Sequence, residues 1–227
     1  MKKAGILVAV EMKAIIKKYG KAKKTVNIRN FTVPVYEIGN YELFVLSSGA
    51  GEIAAAAGTQ FLISECKVEV VFNFGIVGGL TESISEHRVC IVKNVVHYDF
   101  DTSQADTAET GKYEIYPSIY IPATPALIEK AVKIMPDLIP VTCASGDKFI
   151  ANPEQKQLLH KQFNADICEM EAAGIILTCN MNKIPCMLIK MVSDGINGGA
   201  EEFYREFDNA SMHCLDIIDT IIRSLDD

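Results

Sequence analysis

The stretch Asp166-Ile167-Cys168-Glu169-Met170-Glu171-Ala172-Ala173-Gly174 decides how the chain is read. A short apolar strand runs into two carboxylates separated by one residue, and small helix-forming residues follow at once. In extended backbone successive side chains point to opposite faces, so Glu169 and Glu171 share a face and Met170 takes the other. Where the strand turns into the helix, Glu171 can swing out over the sheet edge, the place where open α/β sheets bind ligands. A carboxylate there accepts two hydroxyl hydrogen bonds, as from a ribose diol. The competing reading of the same residues is a solvated junction with no ligand.

The sequence on either side alternates strand and helix in the same way. Ala4 to Val10 is a short continuous apolar run, as in a strand buried on both faces, and Glu11 to Tyr19 follows as a surface helix. Gly39-Asn40 sets a hairpin turn between Val33 to Ile38 and Tyr41 to Leu46. Ser47-Ser48-Gly49-Ala50-Gly51 then opens an Ala-rich helix, Glu52 to Glu65, as a ligand-approaching loop or an ordinary tight turn. Val68 to Phe72, Arg88 to Val96, Val141 to Ser145 and Pro185 to Val192 read as further strands. Thr124-Pro125 and Asn152-Pro153 start helices, and the last helix runs from about Glu201 with a stripe of Phe207, Cys214, Ile218, Ile221, Ile222 and Leu225. This alternation predicts an α/β fold with a mixed, largely parallel sheet between helices.

Composition narrows the function. The 227 residues contain no Pro/Ser/Gly-rich linker, which predicts a single domain over 1–227. A net charge of −7 argues against nucleic acid or an anionic membrane as partner and leaves small molecules. No apolar run reaches the roughly 18 residues of a membrane span. The seven cysteines are odd in number and never spaced Cys-x-x-Cys, so they read as buried thiols in a reducing cytoplasm. Gly75-Ile76-Val77-Gly78-Gly79 lacks dinucleotide-fingerprint spacing, and the histidines around His97-Tyr98-Asp99 give no metal-ligand spacing, so neither a metal nor an organic cofactor is expected.

Taken in order, Gly5 to Val10, Ser48 to Gly51, Gly75 to Leu80, Tyr98-Asp99-Phe100-Asp101, Ser145 to Ile150, Glu169 to Ala172 and Ser193-Asp194 resemble the purine nucleoside phosphorylase and nucleosidase superfamily, and within it the methylthioadenosine/S-adenosylhomocysteine nucleosidases. The resemblance implies a three-layer α/β/α sandwich, usually a homodimer, that cleaves the N-glycosidic bond of a purine nucleoside. It implies that Asp194 protonates N7 of the departing base with Ser193 orienting it, that Phe149 stacks on the purine, and that the Ile150 backbone meets its edge. Met170 and Glu171 would hold the ribose, Gly78 would line the pocket, and Val10 and Ala50 would contact the 5′ substituent, with Phe203 or Tyr204 completing that wall. Breaking C1′–N9 puts positive charge on the sugar and negative charge on the base, so the site needs an acid at one end and a negative group near the other.

Three departures fall on the nucleophile side. Lys13 stands where the nucleosidases carry the water-activating Glu, with Glu11 two residues earlier; Ile76 replaces a Ser, and Lys190 an Arg. Three readings follow. The first is hydrolysis of a 5′-substituted adenosine with Glu11, or another carboxylate such as Asp99, as base. The second is phosphorolysis, with inorganic phosphate as co-substrate on Lys13 and Lys190. The third is a purine nucleoside-binding protein without turnover.

Overall fold

The computed structural model describes residues 1–225; residues 226 and 227, which the expected domain includes, lie outside the described residues. The strands are β1 (Lys2–Val8), β2 (Lys24–Ile28), β3 (Phe31–Ile38), β4 (Tyr41–Ser47), β5 (Val70–Gly79), β6 (Val89–His97), β7 (Ile121–Pro122), β8 (Ile139–Ser145), β9 (Ile167–Glu169) and β10 (Cys186–Asp194). The helices are α1 (Met12–Tyr19), α2 (Glu52–Ser64), α3 (Glu82–His87), α4 (Ser103–Asp106), α5 (Pro125–Ile134), α6 (Pro153–Phe163), α7 (Ala172–Asn182) and α8 (Ala200–Ser224). Every strand joins one mixed sheet in the order β10-β6-β8-β9-β5-β1-β4-β3-β2, with β7 beside β6. Because β10 also pairs with β5, the sheet curls into a closed circuit of β5, β10, β6, β8 and β9. The pairings β1–β5 and β5–β10 are parallel, as are β6–β8 and β8–β9, while β5–β9 and β10–β6 are antiparallel, so β1, β5 and β10 run one way and β6, β8 and β9 the other.

Two apolar layers sandwich this sheet. One packs Leu7, Leu46, Val71 and Leu188 against Ala55 and Leu62 of α2 and Ala173 and Ile176 of α7; the other packs Ile6, Phe72 and Ile189 against Ile15 of α1 and Leu215, Ile218 and Ile222 of α8. The predicted three-layer arrangement is therefore present. β5 is buried along its whole length, and the strand read over Val68 to Phe72 continues through Gly79. Its glycines serve close approach: a Cβ on Gly75 would lie 3.0 Å from Glu11 Oε1, and one on Gly79 2.7 Å from Ser85 Oγ.

Three details differ from the sequence reading. Lys24–Ile28, for which the sequence reading gives no strand, is an edge strand whose exposure alternates from Thr25 to Ile28. Phe207 is not in the α8 core stripe; it is half-buried and faces the pocket described below. Thr124 does not cap α5 with its side chain, because its hydroxyl accepts from the Cys186 N–H instead (2.9 Å). No helix among the described residues is long and apolar enough to cross a membrane.

The tightest helix contact is between α2 and α7, where a Cβ on Gly174 would fall 2.4 Å from the Glu52 carbonyl oxygen. A methyl group there must push backbone, not a flexible side chain. Gly174→Ala should therefore lower stability by about 1–3 kcal/mol, as overpacked cores do. Chemical denaturation would read this as a lower midpoint at unchanged slope.

Candidate functional site

A cavity of about 630 Å³ opens over the carboxyl ends of β1, β5, β9 and β10 and is walled on its outer side by α8. Its polar groups sit at two ends. At one end is Asp194, the last residue of β10 and almost wholly buried. The Ser193 hydroxyl donates to Asp194 Oδ1 (2.8 Å) and lies within reach of the Val77 carbonyl (3.3 Å). Gly78 leaves room for this carboxylate: a Cβ there would stand 3.5 Å from Asp194 Oδ2. Phe149 overhangs this end half-exposed and meets Phe203 edge-on at 5.2 Å, with Ile150 beside it. Burial raises the Asp194 pKa above the usual carboxylate range, opposed by a buried ammonium, Lys156.

The other end is carboxylate-rich. Glu169 and Glu171 diverge at the β9–α7 junction, as the strand-end geometry requires, and both are buried, so neither is a solvated surface acid. Glu169 turns back inward and caps α7: its Oε2 accepts from the N–H groups of Glu171 (3.1 Å) and Ala172 (3.0 Å) and from Lys190 Nζ (3.0 Å). Glu171 faces the cavity and accepts from the Gly51 N–H (3.0 Å), which ties it to the loop before α2. Glu11 lies at the start of α1 with 4% exposure; its Oε2 accepts from the Val10 N–H (3.0 Å), and its Oε1 lies against Gly75. Desolvation raises the Glu11 pKa, with the nearby Lys190 acting against it. Desolvation and Glu169 together push the Glu171 carboxyl up to about 7.

The structure brings together Glu11, Ile76, Gly78, Phe149, Ile150, Met170, Glu171, Asp194, Ala50 and Val10 around one cavity, with Ser193 behind Asp194. It does not bring Lys13 there. The Lys13 ammonium points outward and pairs with Asp208 of α8 (2.8 Å), with three-quarters of its side chain exposed. The reason is helix phase: Ala14 and Ile15 are the buried residues of α1, which turns position 13 to solvent. Lys190 is corrected differently. It is fully buried behind the cavity and already neutralised by Glu169, so neither lysine of the expected phosphate pair is free at the cavity surface. Asp99 is not a base candidate on this geometry, since its carboxylate bonds His97 (2.9 Å) and the Asp147 N–H (3.0 Å) away from the cavity lining.

Two residues important to this arrangement escaped the sequence reading. Lys156, in the middle of a polar helix, looks like surface, yet it is wholly buried against Asp194. Glu52, the first residue of α2, is buried against Ser145 and Glu169. Ser145 Oγ touches an oxygen of each carboxyl and accepts from the Ala173 N–H (3.1 Å). A hydroxyl has one proton, given to Glu169 Oε1, so the Glu52 carboxyl must carry a proton of its own to donate to Ser145. Glu52 is raised to about 8 by burial and by the charge on Glu169.

Comparison with known proteins agrees with this geometry. The family model described as Phosphorylase superfamily matches residues 3–223. The chain belongs to the Phosphorylase superfamily. A 5′-methylthioadenosine/S-adenosylhomocysteine nucleosidase of Staphylococcus aureus (strain JH9) is 32% identical over 190 residues, covering 81% of this chain and 82% of that protein. Two solved structures share the fold closely. A Helicobacter pylori 5′-methylthioadenosine/S-adenosylhomocysteine nucleosidase (TM-score 0.91, 23% identity) and the futalosine hydrolase of H. pylori strain 26695 (TM-score 0.91, 22% identity) each cover 98% of both chains.

The protonated Glu52 gives a stability prediction. Its folded-state pKa lies above its unfolded value, so the folded state holds the extra proton between about 4.5 and 8, and stability from this group falls as pH rises through that window. The charged neighbours that set this are Glu169 and Glu171; the Tyr98 and Tyr113 phenols also face it. Glu52→Gln keeps a neutral donor to Ser145 and an acceptor for the Gly174 N–H. It should flatten that slope and melt roughly 3–6 °C above wild type at pH 8, with little difference at pH 5. Calorimetry at the two pH values checks both signs.

Proposed function

We propose that this protein hydrolyses the C1′–N9 bond of a 5′-substituted adenosine of the methylthioadenosine/S-adenosylhomocysteine type, releasing free base and free sugar. The observation that carries this reading is the pairing of acids across one cavity: Asp194 at the base end, with Glu11 and Glu171 at the sugar end. The Staphylococcus aureus relative is named for that activity.

Each role follows from local chemistry. A nucleoside lies with its purine between Phe149 and the Gly78–Asp194 floor and its ribose diol on Glu171. As C1′–N9 breaks, the bonding electrons pass to the base, and a proton on Asp194 passes to N7, so that a neutral purine leaves. The sugar becomes cationic, and the buried carboxylates beneath it stabilise that charge. Glu11 takes a proton from the attacking water. Its raised pKa suits a general base, because a carboxylate of ordinary acidity accepts a proton weakly at neutral pH. Ile76, in place of a hydroxyl, leaves Glu11 without a side-chain partner from β5 for holding that water. The reaction needs water and no cofactor.

Phosphorolysis is the weaker reading on the same grounds. A phosphate brought to the sugar would meet Glu11 and Glu171, while of the two lysines expected to hold it Lys13 is turned away and Lys190 is occupied. The 5′ side is apolar and open, formed by Val10, Ala50, Phe203, Tyr204 and Phe207. A homodimer is part of the proposal: Ile53, Ile115 and Met181 are large apolar side chains exposed by 83%, 70% and 75%. A cytoplasmic location is proposed from the seven unpaired, buried thiols.

Base release from methylthioadenosine, adenosine and inosine, with and without phosphate, tests the reading. Free sugar should appear at a rate that phosphate does not change; ribose 1-phosphate formed only with phosphate would overturn hydrolysis. Glu11→Gln should lower kcat by roughly 100-fold or more, with KM within a few-fold, the size expected for losing a general base. Lys13→Ala should stay within a factor of two of wild type. An inactive Lys13→Ala beside an active Glu11→Gln would reverse the assignment.

A further inference from the structure

Lys156 is a wholly buried cation that the reaction as described does not use. It sits on α6, and its Nζ reaches four oxygens: Asp194 Oδ2 (2.6 Å), the Asp194 carbonyl (3.4 Å), the Gly195 carbonyl (2.7 Å) and the Gly198 carbonyl (3.2 Å). An ammonium has three protons and no lone pair, so this nest of acceptors fits only the charged form. Asp194 thus receives a donor on each carboxylate oxygen, Ser193 on Oδ1 and Lys156 on Oδ2, the bonding pattern of an ionised carboxylate.

We propose that Lys156 is a positioning residue that sets the proton affinity of Asp194: it keeps the carboxylate ionised in the empty site and stabilises the same carboxylate when its proton has passed to the purine. The proposal rests on the functional reading above, in which Asp194 is the acid at the base. An acid loses its proton more readily when the anion it leaves behind is already neutralised. A buried carboxylate alone would be a weak acid, since burial disfavours its charged form. The ammonium at 2.6 Å offsets that in the empty site; Asp194 takes up one proton from solvent as the purine binds, and that proton then passes to N7 while Lys156 holds the carboxylate left behind. The other groups facing Asp194 do not provide this. Glu202 of α8 is a like charge already bonded to Arg88 (3.0 Å) and to the Gly195 N–H (3.0 Å), and Cys168 of β9 is a thiol that burial keeps neutral.

Lys156 also ties α6, which follows the Phe149–Asn152 loop, to the 194–198 turn, so a purely structural role must be separated from the electrostatic one. The readout is the carboxyl titration of Asp194, followed by carbon NMR on protein labelled at aspartate, with the signal assigned through Asp194→Asn. In unliganded wild type the carboxyl should be ionised at pH 7. Lys156→Met should raise its pKa by ~1–3 units, the shift that one close opposite charge produces, and lower kcat at least tenfold. Lys156→Arg, which restores the charge, should titrate within about half a unit of wild type. An unchanged titration in a folded Lys156→Met overturns the proposal, whatever happens to its rate. Should Lys156→Met not fold, the wild-type titration still decides, because an Asp194 protonated at pH 7 in the empty site overturns it as well. Failure of the functional reading looks different: Asp194→Asn would then release base at the wild-type rate.

Discussion

The site depends on one ammonium shared among too many acids. Lys190, fully buried at the centre of β10, pairs with Glu169, while Glu11 and Glu171 also feel its charge and Glu52 lies behind Ser145. One cation cannot neutralise four carboxylates in a medium that penalises every unpaired charge. The arrangement resolves this by stabilising the charge of one acid above the others. Glu169 holds it, with its pKa depressed by Lys190, by the Ser145 hydroxyl and by the first N–H groups of α7. The other three are pushed upward. Removing Lys190 would leave Glu169 buried and uncompensated, a loss of ~3–5 kcal/mol for pairs of this kind. The pair is therefore better understood as the condition for keeping protonatable acids beside it than as a source of net stability.

That hierarchy gives the cavity its polarity. Glu169 is bonded to the start of α7, and Glu52 is locked into the α2–α7 contact. Glu171 and Glu11, with their pKa values raised, face the cavity where a sugar and a water would lie. At the far end Lys156 plays toward Asp194 the part that Lys190 plays toward Glu169. The difference is in the partners: both acids border the cavity, but Glu169 also accepts from the first N–H groups of α7 and from Ser145, which fix its charged form, whereas the Asp194 carboxylate has Ser193 and Lys156.

The layered fold was legible because its signals are local. Apolar runs such as Ala4 to Val10, the Gly39-Asn40 turn and the Asn152-Pro153 start each carry their own geometry, and the structure has a strand, a hairpin and a capped helix there. The residues around the cavity were legible for a similar reason, since motifs at the ends of β1, β9 and β10 lie around one cavity. What stayed hidden is set by tertiary contact. Lys156 lies in Glu154-Gln155-Lys156-Gln157, a run indistinguishable from a solvated face until α6 is laid against the 194–198 turn. Glu52 looked like an acid suited to a helix N-terminus, which it is, but α7 crosses so closely at Gly174 that the same carboxyl is sealed inside.

The placement of Glu11 and Lys13 shows why alignment by position misleads at this site. In the hydrolysis proposed above, activating the water takes a carboxylate near Gly75, not an acid at a given position in the sequence. α1 is anchored by Ala14 and Ile15, and two residues along a helix are about 200° of rotation, so a side chain at 13 is committed to the outer face. Glu11 precedes the first helical turn, where the backbone is still bending away from β1, and its carboxylate can reach back across β5 because Gly75 has no side chain to block it. A lysine at 13 then costs the site nothing, because Asp208 binds it on the far side of the helix. Once an acid at 11 can reach the cavity, position 13 is free to change, and the outward lysine is what such freedom leaves behind.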